Sequence, residues 1–308
     1  MTGEKNVYLL YLEYPERCFH ADAGLVATLR GMVPKGSRIV RAKSDAEFLK
    51  ALPAATHAIV WRFEREWFAR ASKLRLLATP SAGRELVAQD GPKGLTIHFG
   101  SYHGRIISES VLGFILAWAH GFFLPEIVER GKRGRSYWPR TEISGRCRQV
   151  SGTKAVLFGY GNLGRRIGAK LESVGIRVEG FGRHNLAQMP RAMKDADWFV
   201  MSVPSDPATD DYLNAAMLGR LPRRCVVINV GRGNSVDEEA LVAALKSGRI
   251  AGAWLDVVKR EGEVCAGTYR PKIVRGVPNL VVTPHSAVMA PEYLRYCLEQ
   301  LDEEGLLR

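Results

Sequence analysis

Short apolar runs of β character alternate with helical patterns through the first hundred residues: Val7 to Leu12, Ile39 to Val40, Ala58 to Trp61, Leu74 to Ala78 and Leu95 to Phe99. That rhythm predicts a parallel sheet with crossover helices. A second series starts at Lys154, with strand candidates at Ala155 to Phe158, Arg177 to Phe181, Trp198 to Val203, Val226 to Val230, Gly252 to Val257 and Leu280 to Thr283. Helical patterns lie between most of them, and a complete dinucleotide fold requires six strands. Between the two series, Ser108 is placed to cap a helix over Glu109 to Phe123, whose uniformly apolar surface predicts burial between layers or at a subunit contact. Arg130 to Gly152, rich in Gly, Arg and Ser and carrying Trp138-Pro139, keeps no apolar period and reads as a long connection. There is no internal repeat and no low-complexity tract.

Composition narrows the class. With 308 residues, 46% of them apolar, a substantial core can form and generic disorder is excluded. At roughly 100 to 200 residues per domain the length favours two domains. The formal charge of +12 fits nucleic acid, a membrane surface or anionic small molecules equally well by sign alone. The basic residues are dispersed, however, with local clusters only at Lys132, Arg133, Arg135 and at Arg146, Arg148, so no nucleic-acid partner is expected. The five cysteines, Cys18, Cys147, Cys225, Cys265 and Cys297, form no Cys-x-x-Cys pair and no Cys/His ligand cluster, which fits a reducing compartment and no bound metal. Nothing near Met1 resembles a secretion signal, and the greasiest stretch, Val111 to Leu124, contains His120 and falls short of a bilayer span. A cytoplasmic protein without membrane association is expected.

Chemistry enters at Gly159-Tyr-Gly161-Asn162-Leu163-Gly164, which follows the run Ala155 to Phe158 and precedes a segment of helical spacing. Strand, glycine triplet and helix in that order are the setting of a dinucleotide loop: Gly159 for the tight turn, Gly161 for close approach of backbone to a pyrophosphate, Gly164 for helix–strand packing. Helix-start amides would face the anion. After Gly175 the second strand ends at Phe181 and is followed by Gly182-Arg183-His184, where an NAD-binding chain would place an acidic residue for the ribose. The missing carboxylate, with Arg183 beside the gap, favours NADP over NAD, although Glu179 inside the strand argues the other way and Arg183 could be a solvated loop charge.

Three later segments each place polar groups after a β-like run: Ile228 to Glu238 with Arg232, Gly252 to Glu261 with Asp256, and Asn279 to His285. Ligands of doubly wound folds bind at such carboxyl-terminal strand ends, so Arg232, Glu261 and His285 can converge although Arg232 and His285 stand 53 residues apart. Taken singly, His285 could be structural, Glu261 a surface charge and Arg232 a loop cation.

With these segments the chain resembles the D-isomer-specific 2-hydroxyacid dehydrogenase family, and the likeness covers nearly the whole sequence. Besides the glycine loop it rests on Val203-Pro204 with Thr209 five residues after the proline, the Asn-x-x-Arg-Gly segment ending in Val236-Asp237-Glu238, Leu255-Asp256-Val257, Pro284-His285, Ser81-Ala82-Gly83 and Ser108-Glu109. Glu261 follows Asp256 by five residues, the family's spacing for its catalytic acid. The resemblance implies an α/β protein of two doubly wound parallel-sheet domains: a flavodoxin-like substrate domain over residues 1–103 and 287–308, and an inserted Rossmann-type coenzyme domain over residues 104–286, with the active site in the cleft. It implies that Arg232 holds the 2-oxoacid carboxylate and polarises its ketone, that His285 exchanges the proton, and that Glu261 orients the imidazole. Asp256 would accept from the nicotinamide carboxamide, unless it only closes a turn. Val203, Pro204, Thr209, Val230 and Gly231 would line the coenzyme, and Ala82 and Gly83 would hold the substrate carboxylate. His103 is a further candidate for the substrate pocket.

The expected activity is hydride transfer between NADP(H), or NAD(H), and a small 2-oxoacid of the glyoxylate or hydroxypyruvate type, by a homodimer joined through the apolar helix after Glu109. The alternative is a dinucleotide-sensing, corepressor-like regulator on the same fold. The chain departs from the family in four places. Gly262 stands after Glu261 where proline is usual, about six extra residues fall around Cys265 to Lys272, and only 23 residues follow His285. Arg84 follows the Ser-Ala-Gly turn, where it could suit a dicarboxylate or phosphorylated substrate or simply be solvated.

Overall fold

The computed structural model describes residues 5–124, 138–266 and 276–308. It separates into two compact units, Met1–His103 with Met289–Arg308, and Gly104–Val288.

In the first unit the strands are β1 (Val7–Tyr11), β2 (Arg38–Arg41), β3 (His57–Val60), β4 (Leu76–Thr79) and β5 (Thr96–Phe99), all parallel in the order β2-β1-β3-β4-β5. This is the flavodoxin-like order. The central strands β3 and β4 are buried along their whole length, which is why, His57 and Thr79 apart, they read as apolar runs rather than as alternation. Helices α1 (Ala23–Met32) and α2 (Asp45–Ala51) start at side-chain caps, Asp22 accepting from Leu25 N and Ser44 from Glu47 N. The returning segment supplies a helix, Tyr293–Glu303, that buries Leu294, Leu298 and Leu301, and Tyr8 Oη donates to Leu307 O at 2.8 Å. Arg84 lies over the Phe99 ring at 5.0 Å and bonds Gln89, so its cation is engaged within this unit.

His57, at the start of β3, is 4% exposed, stacked on Tyr8 at 4.5 Å and bonded through Nδ1 to Thr56 Oγ1. Burial, aided by the charge of Arg75, depresses its pKa to about 4. The ring is therefore neutral in the fold and cationic in the unfolded chain below about pH 6.5. Its contribution is complete above that value and is lost as pH falls to about 4, a swing of about 3 kcal/mol. Urea unfolding of the wild type and His57→Phe across this window should show a steeper acid loss in the wild type; equal slopes would refute the assignment.

In the second unit, β6 (Lys154–Phe158), β7 (Arg177–Phe181), β8 (Trp198–Met201), β9 (Val226–Asn229), β10 (Gly252–Leu255) and β11 (Leu280–Val282) form a parallel sheet in the order β11-β10-β9-β8-β6-β7. The expected six strands are present, but β7 is an edge; among the described residues no strand pairs outside it. Counted within the unit, the order is 2-1-3-4-5-6 rather than 3-2-1-4-5-6. The short stretch between β7 and β8 instead folds into helical turns that bury Met189, Ala192 and Met193 in the core beside Phe181 and Phe199. The switch point remains between β6 and β8, where the order reverses.

The long apolar helix, α3, differs from expectation at both ends: it spans Gly104–Ala119, and Ser108 is an interior residue, 3% exposed, rather than its cap. Gly104, its first residue, sits so close to the helix Asn162–Glu172 that a Cβ there would lie 2.4 Å from Arg166 Cδ. The end is a Schellman turn, Phe122 N donating to Ala117 O and Gly121 N to Trp118 O, with Gly121 at φ +76°. The connection after it holds a short helix, Arg140–Ser144, where no element was expected. The Lys132, Arg133, Arg135 cluster lies outside the described residues, whereas Arg148 pairs with Asp197 at 3.2 Å and covers the Trp198 ring. Among the described residues no helix is long and apolar enough to cross a membrane.

Candidate active site

The glycine loop follows β6. Gly159 adopts φ +98°, and a Cβ on it would lie 2.8 Å from Ser202 C, so the turn abuts the backbone leaving β8. Ser202 Oγ donates to Gly159 O at 2.8 Å and holds the two strand ends together. Gly164 faces the same carbonyl, with only 2.0 Å between a built Cβ and Gly159 O. Gly161 differs: it is the cap residue of the helix Asn162–Glu172 and has open space where its Cβ would be. The three glycines thus serve a turn, an open approach and a helix–strand contact. Asn162 and Leu163 begin the helix, whose first amides have no intrahelical acceptor and form its positive end.

At the tip of β7, Asn185 closes the turn by accepting from Gly182 N at 2.8 Å and donating to Gly180 O at 3.0 Å. Arg183 and His184 project from this turn into solvent, Arg183 with only a 3.5 Å contact to Asp206. Glu179 is turned to other use, pairing with Lys154 Nζ at 2.9 Å. No carboxylate therefore occupies the residues directly after β7. Beyond β8, Val203 is buried and Pro204 exposed, and Thr209 Oγ1 closes their turn by donating to Asp206 O and Pro204 O. Val230 and Gly231 follow β9; a Cβ on Gly231 would come within 2.6 Å of Val203 O, so these two strand ends also abut.

Arg232 leaves β9 on a turn fixed by a buried Asn229, which accepts from Gly231 N and donates to Arg232 O, both at 3.0 Å. Ser235 Oγ adds a bond to Arg232 O at 2.7 Å. After β11, His285 takes a left-handed conformation, φ +51°, and its amide bonds Asp256 O. The Asp256 carboxylate, 2% exposed, accepts from Thr283 Oγ1, Ser286 N and Ala287 N, so it straps the loop on both sides of His285. That is the turn-closing use of an Asp at a strand end.

Glu261, first residue of the short helix Glu261–Cys265, accepts from His285 Nδ1 at 2.6 Å. This bond, opposed by burial and by the nearby Arg232 charge and assisted by the charges of Glu261 and Asp256, raises the imidazole pKa above its ordinary value. Imidazole and carboxylate are therefore bonded, and the Arg232 guanidinium is near enough for its charge to act on the imidazole, all within one unit. Nε2 is left as the atom that can exchange a proton. Ala82 and Gly83 belong to the other unit, in the turn after β4, where Ser81 Oγ accepts from Gly83 N at 3.0 Å. His103 also belongs there and bonds Tyr293 Oη at 3.0 Å.

Residues 113–287 match the family model described as D-isomer specific 2-hydroxyacid dehydrogenase, NAD binding domain. The chain belongs to this family. Among its relatives, a glycerate dehydrogenase of Methylorubrum extorquens is 29% identical over 245 residues, 74% of each chain. A D-isomer specific 2-hydroxyacid dehydrogenase of Xanthobacter autotrophicus, solved with NADPH and MES, is 26% identical with a TM-score of 0.71, covering 98% of this chain and 96% of its own. The NAD-complexed enzyme of Lactobacillus delbrueckii ssp. bulgaricus shares the fold at 19% identity, TM-score 0.76, over 98% and 96% of the two chains. Neither the family match nor these relatives lend support to a regulator. As a D-2-hydroxyacid dehydrogenase by family, the protein is a 2-hydroxyacid oxidoreductase. Around its strand ends the structure adds Ser202 and Ser235, which the sequence did not single out, and gives Asn229, Gly233 and Glu238 contacts that their places in the Asn-x-x-Arg-Gly and Val-Asp-Glu segments did not specify. Only contact, not residue type, reveals these roles.

Proposed function

We infer that this D-2-hydroxyacid dehydrogenase reduces a small 2-oxoacid, glyoxylate or hydroxypyruvate foremost, and prefers NADPH to NADH. The observation that carries the reading is the bond from His285 Nδ1 to Glu261 beside Arg232. The similarity to a glycerate dehydrogenase supports the substrate class, because glycerate oxidised at C2 is hydroxypyruvate.

The residues present fit a dinucleotide: an open Gly161, the amide end of an 11-residue helix, and strand ends closed by Gly159 and Gly231. When bound, the nicotinamide supplies the hydride that the ketone carbon receives. Arg232 pairs with the carboxylate of the oxoacid and sets its orientation. His285 Nε2 gives a proton to the oxygen as negative charge develops there, and recovers it in the reverse direction. Glu261 keeps Nδ1 engaged and favours the protonated ring. Ala82 and Gly83 are assigned to the substrate carboxylate, and Val203, Pro204, Thr209, Val230 and Gly231 to the coenzyme.

Arg183 and the absence of a carboxylate after β7 support NADPH, and the Xanthobacter relative was solved with that coenzyme. A panel of 2-oxoacids assayed with each coenzyme tests the reading. Oxoacid-dependent consumption of NADPH at higher kcat/KM than NADH is expected. Arg183→Ala should cost about 10- to 100-fold with NADPH, the loss of one charged hydrogen bond, and leave NADH use unchanged. Equal efficiencies with the two coenzymes would reject the preference.

A further inference from the structure

The chain segment just before Glu261 is held from two sides. On one side Gly233, next to Arg232, packs backbone to backbone against it: a Cβ on Gly233 would lie 2.0 Å from Val258 C and 2.6 Å from Lys259 N. On the other side is Glu238, the first residue of the helix Glu238–Lys246, capped by Asp237. Glu238 is only 8% exposed, and its Oε1 accepts from Lys259 N at 2.7 Å. The next residue, Arg260, takes φ +55°, turning the chain so that Glu261 opens its helix. Lys259 Nζ pairs with Asp211.

A buried carboxylate is costly unless its oxygens are bonded, and this one spends a short, charge-assisted bond on a single backbone amide two residues before Glu261. Gly262 leaves the following turn without the stiffness a proline would bring. Something else must fix where Glu261 sits relative to Arg232, whose loop packs through Gly233 on Val258 and on the Lys259 that Glu238 holds.

We propose that Glu238 is a positioning residue for the reaction: by holding Lys259 N it keeps Glu261 within bonding reach of His285 Nδ1 and in register with Arg232. The proposal rests on the reading of His285 as the proton donor. Glu238 touches no reacting atom; it acts through Glu261. The charges facing it are those of Lys259 and Asp211, and those facing His285 are Glu261, Asp256 and Arg232.

The test follows the imidazole of His285 by NMR titration in the full chain, with and without the variants. Glu238→Ala is expected to lower the His285 midpoint toward that of Glu261→Gln, and to do nothing further when combined with Glu261→Gln. Glu238→Gln keeps an acceptor oxygen for Lys259 N and should keep the midpoint close to wild type. In parallel, kcat for oxoacid reduction should fall by about tenfold in Glu238→Ala, with a smaller change in KM, as expected for a misplaced acid. A folded Glu238→Ala with an unmoved His285 midpoint, or one that lowers it equally in the Glu261→Gln background, would overturn the proposal. Should Glu238→Ala not fold, the Lys259 amide resonance of the wild type decides: it must follow the titration of the Glu238 carboxyl, and an amide indifferent to that carboxyl would overturn the proposal. Because the imidazole titration needs no turnover, an inactive wild type would count against the oxoacid reading and leave this result separately readable.

Discussion

Replacing His285 by glutamine lowers kcat for 2-oxoacid reduction by about 10²- to 10⁴-fold and leaves the coenzyme dissociation constant near its wild-type value. Glutamine retains a donor of similar reach but cannot release a proton at neutral pH. The coenzyme contacts assigned to Gly159, Gly161 and Gly164 lie on another strand end, after β6, and are untouched. Stopped-flow measurement of the hydride-transfer phase, alongside fluorescence titration with NADPH, checks both halves. Turnover at the wild-type rate would remove His285 from the proton-transfer role. Glu261→Gln should give a smaller loss, because the imidazole remains and only its orientation and charge preference weaken.

Removing Arg232 acts on the substrate instead. A guanidinium pairing with a carboxylate makes two charge-assisted hydrogen bonds, at roughly 1.5–3 kcal/mol each, so Arg232→Ala should reduce kcat/KM for the oxoacid by about 10²- to 10⁴-fold. Arg232→Lys restores charge without the planar fork and should recover only part of it. The Arg232 turn itself is built by Asn229 and Ser235 bonding to the Arg232 carbonyl, not to its side chain, so the loop should survive either change. Steady-state kinetics with a saturating coenzyme reports the loss. An unchanged kcat/KM would mean that another cation holds the substrate.

Much of this was legible in the amino-acid pattern. Buried parallel strands such as β8, apolar end to end, and β4, apolar but for Thr79, have positions that follow from composition to within two or three residues. The glycine loop was legible because each glycine answers a separate steric demand, and His285 and Glu261 because the family spacing carries them. The start of α3 was not: Ser108 has the right side chain for a cap, but the helix begins four residues earlier, at Gly104, where the chain packs closely on Arg166. Its end was available in Gly121, a glycine placed for a left-handed turn. The edge position of β7 was hidden because six apolar runs do not reveal their order across the sheet. Asp256 shows the limit for single residues: a polar side chain after a strand reads as ligand contact or loop strap, and its bonds to Thr283, Ser286 and Ala287 could not be foreseen from residue type.

The account turns on a protonated His285 held by Glu261, and the pH dependence of kcat/KM for oxoacid reduction examines it most directly. His285 has a raised pKa, so the reducing form is fully present below the ordinary histidine value and is lost as pH rises through the raised one. The predicted result is a falling alkaline limb above the ordinary histidine range in the wild type that moves to lower pH in Glu261→Gln. Limbs at the same pH in both proteins would contradict the account.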